Sequence, residues 1–282
     1  MPPRPTVRLV ACTENDYPLF AQLFAHLETG DEPPPRERFV ADLLPESRVL
    51  VATGPDGRDE PAGYLYSQVL DGVGYVRQIV LSPVHRGRGL ARAALLLLAD
   101  ELRAVGCTRW CLNVRPDNTP AVALYTSLGM RREYGSVALR LAWSATDTLP
   151  PPEAPHRGEL LAPMHDGAIE SGFGLLPGQL ASARAAGRVL CAVRDADGAA
   201  VGVAIFDPHF PGAFPFRARR PALAQPLLAV MRPHARPGDP EVHLVIEADD
   251  TLAEHLLRAG AIVKLRFDHY GGALPSTGPA AS

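Results

Sequence analysis

Hydrophobic and polar residues follow two rhythms along this chain. Val7–Ala11, Arg48–Thr53, Ala62–Leu70, Gly74–Ser82, Arg109–Val114 and Arg131–Leu141 are short apolar or alternating stretches, the pattern of β-strands. Between them lie segments whose apolar residues recur three and four apart. Asn15 or Asp16 can cap a helix running to about His26, with Leu19, Phe20, Leu23 and Leu27 on one face. Pro35 to Leu44 reads as a second short helix. Gly89–Val105 reads as a long helix ended by Gly106, and Thr119–Leu128 as another ended by Gly129. Gly54-Pro55-Asp56-Gly57 turns the chain between two strands. This alternation predicts an α/β fold with a mixed central sheet flanked by helices.

The rhythm breaks at residues 144–158, where four prolines fall within six residues, Pro150 to Pro155. Proline lacks the donor that helices and central strands need, so a stiff, extended linker is predicted. Beyond it, Val189–Val193 and Ala200–Phe206 read as strands around the turn Asp195-Ala196-Asp197-Gly198. Pro221–Met231 reads as a helix interrupted by Pro226, Val242–Glu247 as a strand, Thr251–Ala259 as a helix ended by Gly260, and Ala261–His269 as a last strand. The stretch Pro208–Phe216 reads as too proline-rich for a central strand. The expected organisation is a first domain over 1–143, a linker over 144–158, a second, smaller α/β domain over 159–271 and a flexible tail over 272–282.

Composition narrows the function classes. The 282 residues are 46% hydrophobic with a formal charge of −3. That is enough apolar material for a sizeable core, and it lacks the basic excess of a nucleic-acid binder. No apolar stretch approaches the about 18 residues of a membrane helix. Met1-Pro2-Pro3-Arg4-Pro5 shows no signal-peptide core, so a cytoplasmic location is expected. Cys107 and Cys111 lie four apart with no His or Cys pair at zinc spacing. They and Cys12 and Cys191 read as buried small hydrophobes in a reducing compartment, and no metal is expected.

The segment Tyr75 to Ala91 carries the candidate chemistry. A strand runs into the loop Arg86-Gly87-Arg88-Gly89-Leu90-Ala91, which opens a long helix. Glycines let successive amides converge, and a helix start adds unsatisfied donors and positive dipole. Together these suit a diphosphate, with Arg86 and Arg88 adding charge at the rim. The Lys-Ser/Thr ending of a nucleotide P-loop is missing. About 30 residues on stands Asn118-Thr119-Pro120-Ala121-Val122-Ala123-Leu124-Tyr125-Thr126-Ser127-Leu128-Gly129. With both motifs in this order, residues 5–143 resemble the GCN5-related N-acetyltransferase (GNAT) superfamily. The first motif matches its Arg/Gln-x-x-Gly-x-Gly/Ala loop. In the second, Asn118, Ala121, Leu124, Tyr125, Leu128 and Gly129 fill every fixed position of Asn-x-x-Ala-x-x-Leu-Tyr-x-x-Leu-Gly.

The resemblance implies an acetyl-CoA site. Gly87, Arg88, Gly89, Leu90 and Ala91 would bind the diphosphate through their amides. The strand edge Ile79, Val80 and Leu81 would pair with the pantetheine arm, and Asn118 would lie near it. Tyr125 would protonate the leaving thiolate. One feature departs from the family: where a glutamate often serves as base, this chain has Arg77-Gln78, and Gln78 accepts no proton at neutral pH. Glu28, Asp31 and Glu32, in the loop after the first helix, could attract a cationic amine. His26 and His85 read as surface histidines, and Tyr75 and Tyr134 as possible cleft residues.

A shift of 131 residues carries Gly129 onto Gly260, Val114 onto Val245, and Arg86–Ala91 onto Arg217–Ala222. The loop glycines become Ala218 and Arg220, Asn118 becomes Asp249 and Tyr125 becomes Leu256. The second half therefore reads as a degenerate copy without acyl-CoA chemistry; an unrelated α/β domain is the alternative. It could complete the acceptor cleft, stabilise the first domain or mediate a homodimer. The expected activity is acetyl transfer to an amine of a small-molecule or peptide acceptor. The alternative is a non-catalytic acyl-CoA-binding regulatory or protein-interaction protein.

Overall fold

The computed structural model describes residues 6–27, 30–54 and 56–275. They fall into two compact units, one made of Met1–Glu133 and His269–Ser282, the other of Tyr134–Asp268.

The first unit begins with β1 (Thr6–Ala11) and a 3₁₀ turn, Glu14–Asp16, capped by Thr13. As expected, Asp16 stands at the N-cap of α1 (Tyr17–Phe24), but its carboxylate accepts from the Thr13 N–H and hydroxyl instead of from the helix. A helical stretch follows as α2 (Arg36–Arg38) and the π turn Phe39–Leu43. Then come β2 (Ser47–Thr53), β3 (Asp59–Leu70), β4 (Val73–Leu81), α3 (Leu90–Ala104), β5 (Arg109–Val114), α4 (Thr119–Ser127) and the start of β6 (Arg131–Ala142). The sheet order is β1-β2-β3-β4-β5, and its next strand is the last of the chain, β12 (Ile262–Ala273). Pairing is antiparallel from β1 to β4, and β4 and β5 are parallel.

Adjacent residues of a strand face opposite sides of the sheet. Leu65 joins Leu95, Leu98, Trp110 and Leu112 in a core with α3. Its neighbour Tyr64 joins Phe20, Phe39 and Val80 in a second core with α1. The predicted tail is in part ordered strand. Tyr270 is buried in the first of these cores, and Leu274 N–H donates to Thr108 C=O at 3.1 Å. Residues 276–282 lie outside the described ones.

The second unit contains the rest of β6, then β7 (Arg157–Leu160), α5 (Asp166–Phe173), α6 (Gln179–Ala185), β8 (Val189–Arg194), β9 (Ala200–Asp207) and β10 (Gly212–Ala218). It continues with α7 (Ala224–Met231), β11 (Glu241–Glu247) and α8 (Asp250–Arg258). Its strand order is β6-β11-β10-β9-β8-β7. The elements β7, α5 and α6 precede Val189, where the expected elements of this half began. The shift of 131 carries the bounds of α4 onto α8 and those of β6 onto β12.

Three sequence expectations change here. The units divide at Glu133, not at residue 143. The expected linker is packed at its start: Leu149 is buried in the second unit's core and Thr146 is buried beside it, as is Trp143 just before the linker, whose N–H donates to Pro240 C=O at 3.0 Å. The proline-rich stretch does contain a central strand, β10, paired with β9 and β11. Its register shifts between Ala213 and Phe216, so Pro215 falls in an irregularity where its missing N–H breaks no ladder bond. Arg217 and Ala218, expected in a loop, lie in that strand. No helix among the described residues is long and apolar enough to cross a membrane.

Tyr270→Ala should remove a buried ring from the first unit and cost about 3 kcal/mol of stability. Denaturant unfolding measures this; an unchanged midpoint would mean that the chain's end does not belong to that core.

Candidate active site

The site begins where two strands part. β4 and β5 pair only at Val73–Val76 with Arg109–Leu112. Beyond Val76, β4 keeps its pairing with β3, from Gln78 with Tyr66 to Leu81 with Gly63. Arg77 is the extra residue of a bulge, because Val76 pairs with Ser67 and Gln78 with Tyr66. The bulge changes the alternation. Val76, Ile79 and Leu81 pack toward α3 and α4, while Val80 packs with Tyr64 toward α1. Among the described residues, Arg77–Leu81 thus offer β5 an unpaired strand edge, which includes the expected Ile79, Val80 and Leu81.

From Leu81 the chain turns through Pro83–His85 into the glycine loop. Gly87 and Gly89 have φ of +75° and +79°, a left-handed conformation that favours glycine, and open space surrounds both. The first backbone bond of α3 runs from Ala93 N–H to Gly89 C=O. The amides of Leu90, Ala91 and Arg92 precede it and point out of the helix start without an intrahelical acceptor. Leu90 is buried and anchors the helix, while Arg86, Gly87, Arg88 and Gly89 are exposed.

The loop is braced from below by a residue the sequence reading assigned to the surface. His85 is 5% exposed. Its Nε2–H donates to Glu60 Oε1 at 2.8 Å, and its Nδ1 shares a 2.6 Å hydrogen bond with the Ser82 hydroxyl. Arg86 Nε donates back to Leu81 C=O at 3.1 Å, so its guanidinium serves the loop's own shape. The i, i+3 spacing of Ser82 and His85 was the only sequence signal; Glu60 lies 25 residues away.

α4 carries the remaining expected residues. Asn118 caps it, its Oδ1 accepting from Ala121 N–H at 3.3 Å. Arg92 on α3 donates to the Ser127 hydroxyl at 2.7 Å and ties the two helices. Tyr125 is 7% exposed and packs in the core that includes Leu90, Ile79 and Leu81. Burial pushes its phenol up to about 12. Among the described residues its hydroxyl has no hydrogen-bond partner. It is therefore a protonated donor available to a ligand.

On the opposite face of the sheet, Gln78 is half-buried and its Oε1 accepts from the Tyr64 hydroxyl at 2.9 Å. Tyr64 is 1% exposed, and burial raises its phenol well above the usual range. Gln78 is thus a neutral, fixed wall residue. Asp31 is half-buried and Glu32 exposed in the coil before Arg36; Glu28 lies outside the described residues. On the same face a polar group stands beside the parting strands. The Arg77 guanidinium lies 3.8 Å from the centre of the Tyr75 ring. Asn113 Nδ2 donates to the Tyr75 hydroxyl at 3.0 Å. Asn113 Oδ1 accepts from His269 Nδ1 at 2.9 Å. No local sequence signal marks this group, since His269 lies 156 residues from its partner. Tyr134, the other tyrosine considered for the cleft, belongs to the second unit and bonds Glu247 at 3.2 Å. Among the described residues no group of three or more His, Cys, Asp or Glu is placed to hold a metal.

Comparison with known proteins agrees with this geometry. Residues 17–130 match the model of the acetyltransferase (GNAT) family. Strand parting, glycine loop and matched segment fall together on these residues, which have the α/β fold of that family. A mycothiol acetyltransferase of Renibacterium salmoninarum is 32% identical over 124 residues, 40% of this chain and 35% of that protein. A ribosomal protein bS18-alanine N-acetyltransferase of Salmonella typhimurium is 37% identical over 81 residues, 27% of this chain and 55% of that protein. The chain spans about a third of the length of the first curated relatives it matches. A solved tandem GNAT protein of the clavulanic acid biosynthesis pathway shares the fold over 98% of this chain and 100% of its own, at 20% identity and a TM-score of 0.60.

The alkaline absorbance titration of the wild type minus that of Tyr125→Phe should show one phenol step near pH 12. A raised folded-state value means that this group's stability contribution is complete below about pH 10 and lost as pH rises through about 12. A difference step near pH 10 would contradict the buried, unionised phenol.

Proposed function

We propose that the protein is an acetyl-CoA-dependent N-acetyltransferase with one working site, in the first unit, acting on a primary amine. The observation that carries this reading is the parting of β4 from β5 directly before a loop with two left-handed glycines at the start of α3. The pieces fit an acyl-CoA. Amides of Gly87, Arg88, Gly89, Leu90 and Ala91 hold the diphosphate, with Arg88 at the rim. The free edge of Ile79, Val80 and Leu81 takes the pantetheine arm, and Asn118 lies along its path. The acyl donor supplies the thioester carbon that the amine attacks. The chain's own contribution is to hold the two reactants in line and to meet the charge that develops on sulfur. Tyr125, protonated and without a hydrogen-bond partner among the described residues, donates its proton to the departing thiolate.

The acceptor is a small-molecule or peptide amine. Asp31 and Glu32, with Glu28, favour its cationic form, and Gln78 lines its wall. The second unit is a degenerate copy. Its element order, the shift of 131 and Asp249 capping α8 as Asn118 caps α4 support this. Leu256 stands where Tyr125 does, and the loop glycines are replaced.

The fixed, neutral Gln78 favours a second reading, a protein that binds acyl-CoA without turnover. Thiol release from acetyl-CoA across an amine panel decides between them. Amine-dependent release supports the transferase, and binding with no release in any arm supports the sensor.

Tyr125→Phe should lower kcat about 100-fold while leaving the Kd for CoA unchanged. Unchanged turnover would remove Tyr125 as the acid. Gly89→Glu places a bulky anion where the diphosphate would sit and should abolish CoA binding in calorimetry; wild-type affinity would refute the loop assignment.

A further inference from the structure

We infer that Arg77 binds a carboxylate carried by the acceptor, which makes the acceptor a free amino acid and not a peptide amine. That role rests on the transferase reading above and narrows its substrate class.

The Arg77 guanidinium has no counter-charge. Its Nε donates to the neutral amide of Gln68, at 2.8 Å from Oε1, and among the described residues Nη1 and Nη2 have no acceptor. Arg8, Arg48, Arg103 and Arg109 of the same unit each pair with a carboxylate. Arg77 is nevertheless half-buried. Holding a cation partly out of water without a counter-charge costs free energy, and an arriving anion offsets that cost.

The guanidinium is also held still. Gln68 pairs with Tyr75 across β3 and β4, and Arg77 stands two residues beyond Tyr75, so the three side chains share a face. The guanidinium lies over the Tyr75 ring, 3.8 Å from its centre, and the Tyr75 hydroxyl accepts from Asn113 Nδ2 at 3.0 Å. The ring fixes one side of the guanidinium, and the Gln68 bond fixes its turn about that ring. The edge left open is that of Nη1 and Nη2, which matches the two oxygens of a carboxylate. A long side chain ordered in advance loses less freedom when it binds.

Position selects the anion. Arg77 is the first β4 residue beyond the last pair with β5, Val76 with Leu112. The strand from Arg77 to Leu81 spans roughly 13 Å, and the glycine loop lies beyond Leu81. A diphosphate on that loop is out of reach of Arg77, so the anion belongs to the other reactant. The bulge leaves Arg77 on the face of Gln78, the wall assigned to the acceptor. In the transferase reading the pantetheine arm runs along Ile79 to Leu81 away from the diphosphate, so its thioester end faces Arg77. An amine that attacks there and a carboxylate on Arg77 are a few bonds apart, the layout of an amino acid. In a peptide the α-carboxyl is an amide and carries no charge. Asp31 and Glu32, assigned above to the ammonium, and Arg77 then answer the two charges of one zwitterion.

Thiol release from acetyl-CoA with paired acceptors tests this. The pairs are lysine and cadaverine, ornithine and putrescine, and β-alanine and ethylamine; phosphoethanolamine and a tripeptide with an amidated C-terminus are further arms. The wild type should prefer the amino acid of a pair. Arg77→Gln should cut that preference, the ratio of kcat/KM within the pair, about 100-fold and through KM. Arg77→Lys keeps the charge without the two-pronged edge and should restore only part of it. A merely structural role lowers both members together, so an unchanged ratio in Arg77→Gln overturns the inference. So does a wild type that uses both members equally, that prefers the amine lacking the carboxylate, or that prefers phosphoethanolamine or the tripeptide to every amino acid. Thiol release in any of these arms leaves the transferase reading standing. A wild type that binds acetyl-CoA and releases no thiol with any amine overturns both.

Discussion

The parting of β4 and β5 after four paired residues is the constraint on which the site depends. A strand interior normally satisfies every backbone group on both edges. Here Gln78–Leu81 keep β3 on one edge and offer β5 nothing on the other. That leaves polar backbone facing a cleft, a cost accepted only where a ligand can pair with it. The bulge at Arg77 makes the opening usable, because it turns alternate side chains over. Ile79 and Leu81 seal the core beneath the cleft, and Gln78 faces the other side with Tyr64. The glycine loop and Tyr125 then lie on elements packed against the same core, so the opening, the loop and the phenol are fixed by one set of apolar contacts.

The first unit is closed by a strand from the other end of the chain. Tyr270 enters its core, and His269 meets Asn113 across 156 residues of sequence. Such long-range contacts require loop closure before they repay it, so the first unit's sheet is complete only after the whole chain is made. This connectivity gives the second unit a structural role. It carries the chain from β6 to β12, and the strand it returns supplies part of the first unit's polar face.

Much of this was legible in the sequence because it is local. The glycine pair, the capping Asn118 and the helix-ending Gly129 each act within a few residues, and each stands where its spacing predicted. The shift of 131 was legible for the same reason: α8 and β12 preserve the bounds of α4 and β6. Residues whose roles come from distant partners were not. His85 looked like a loop-surface histidine because Glu60, which fixes it, lies on another strand. The end of β12 looked like a tail because Gly271 and Gly272 signal turns. In the fold they serve close approach: a Cβ on Gly272 would lie 2.9 Å from Gly129 C=O. Pro215 argued against a strand that exists, because a register shift absorbs a missing donor and composition cannot show it.

The distribution of charge across the cleft follows from what lies beneath each wall. Under Gln78 is an aromatic core, where Phe20 lies 4.8 Å from Tyr64 and 4.7 Å from Phe39, centre to centre. A carboxylate at position 78 would share that apolar setting with the Tyr64 hydroxyl as its only fixed partner, and burial without several donors penalises the ionised form. A neutral amide accepting one hydrogen bond suits the same place at little cost. The opposite side is different. Arg109 balances Glu133, and the amide of Asn113 is satisfied at both ends, by Tyr75 and by His269. A charge that appears and disappears during a reaction is tolerated best where fixed charges and dipoles already surround it. The wall built from β5 and β12 therefore carries paired charge and satisfied dipoles, and the wall at Gln78 is neutral.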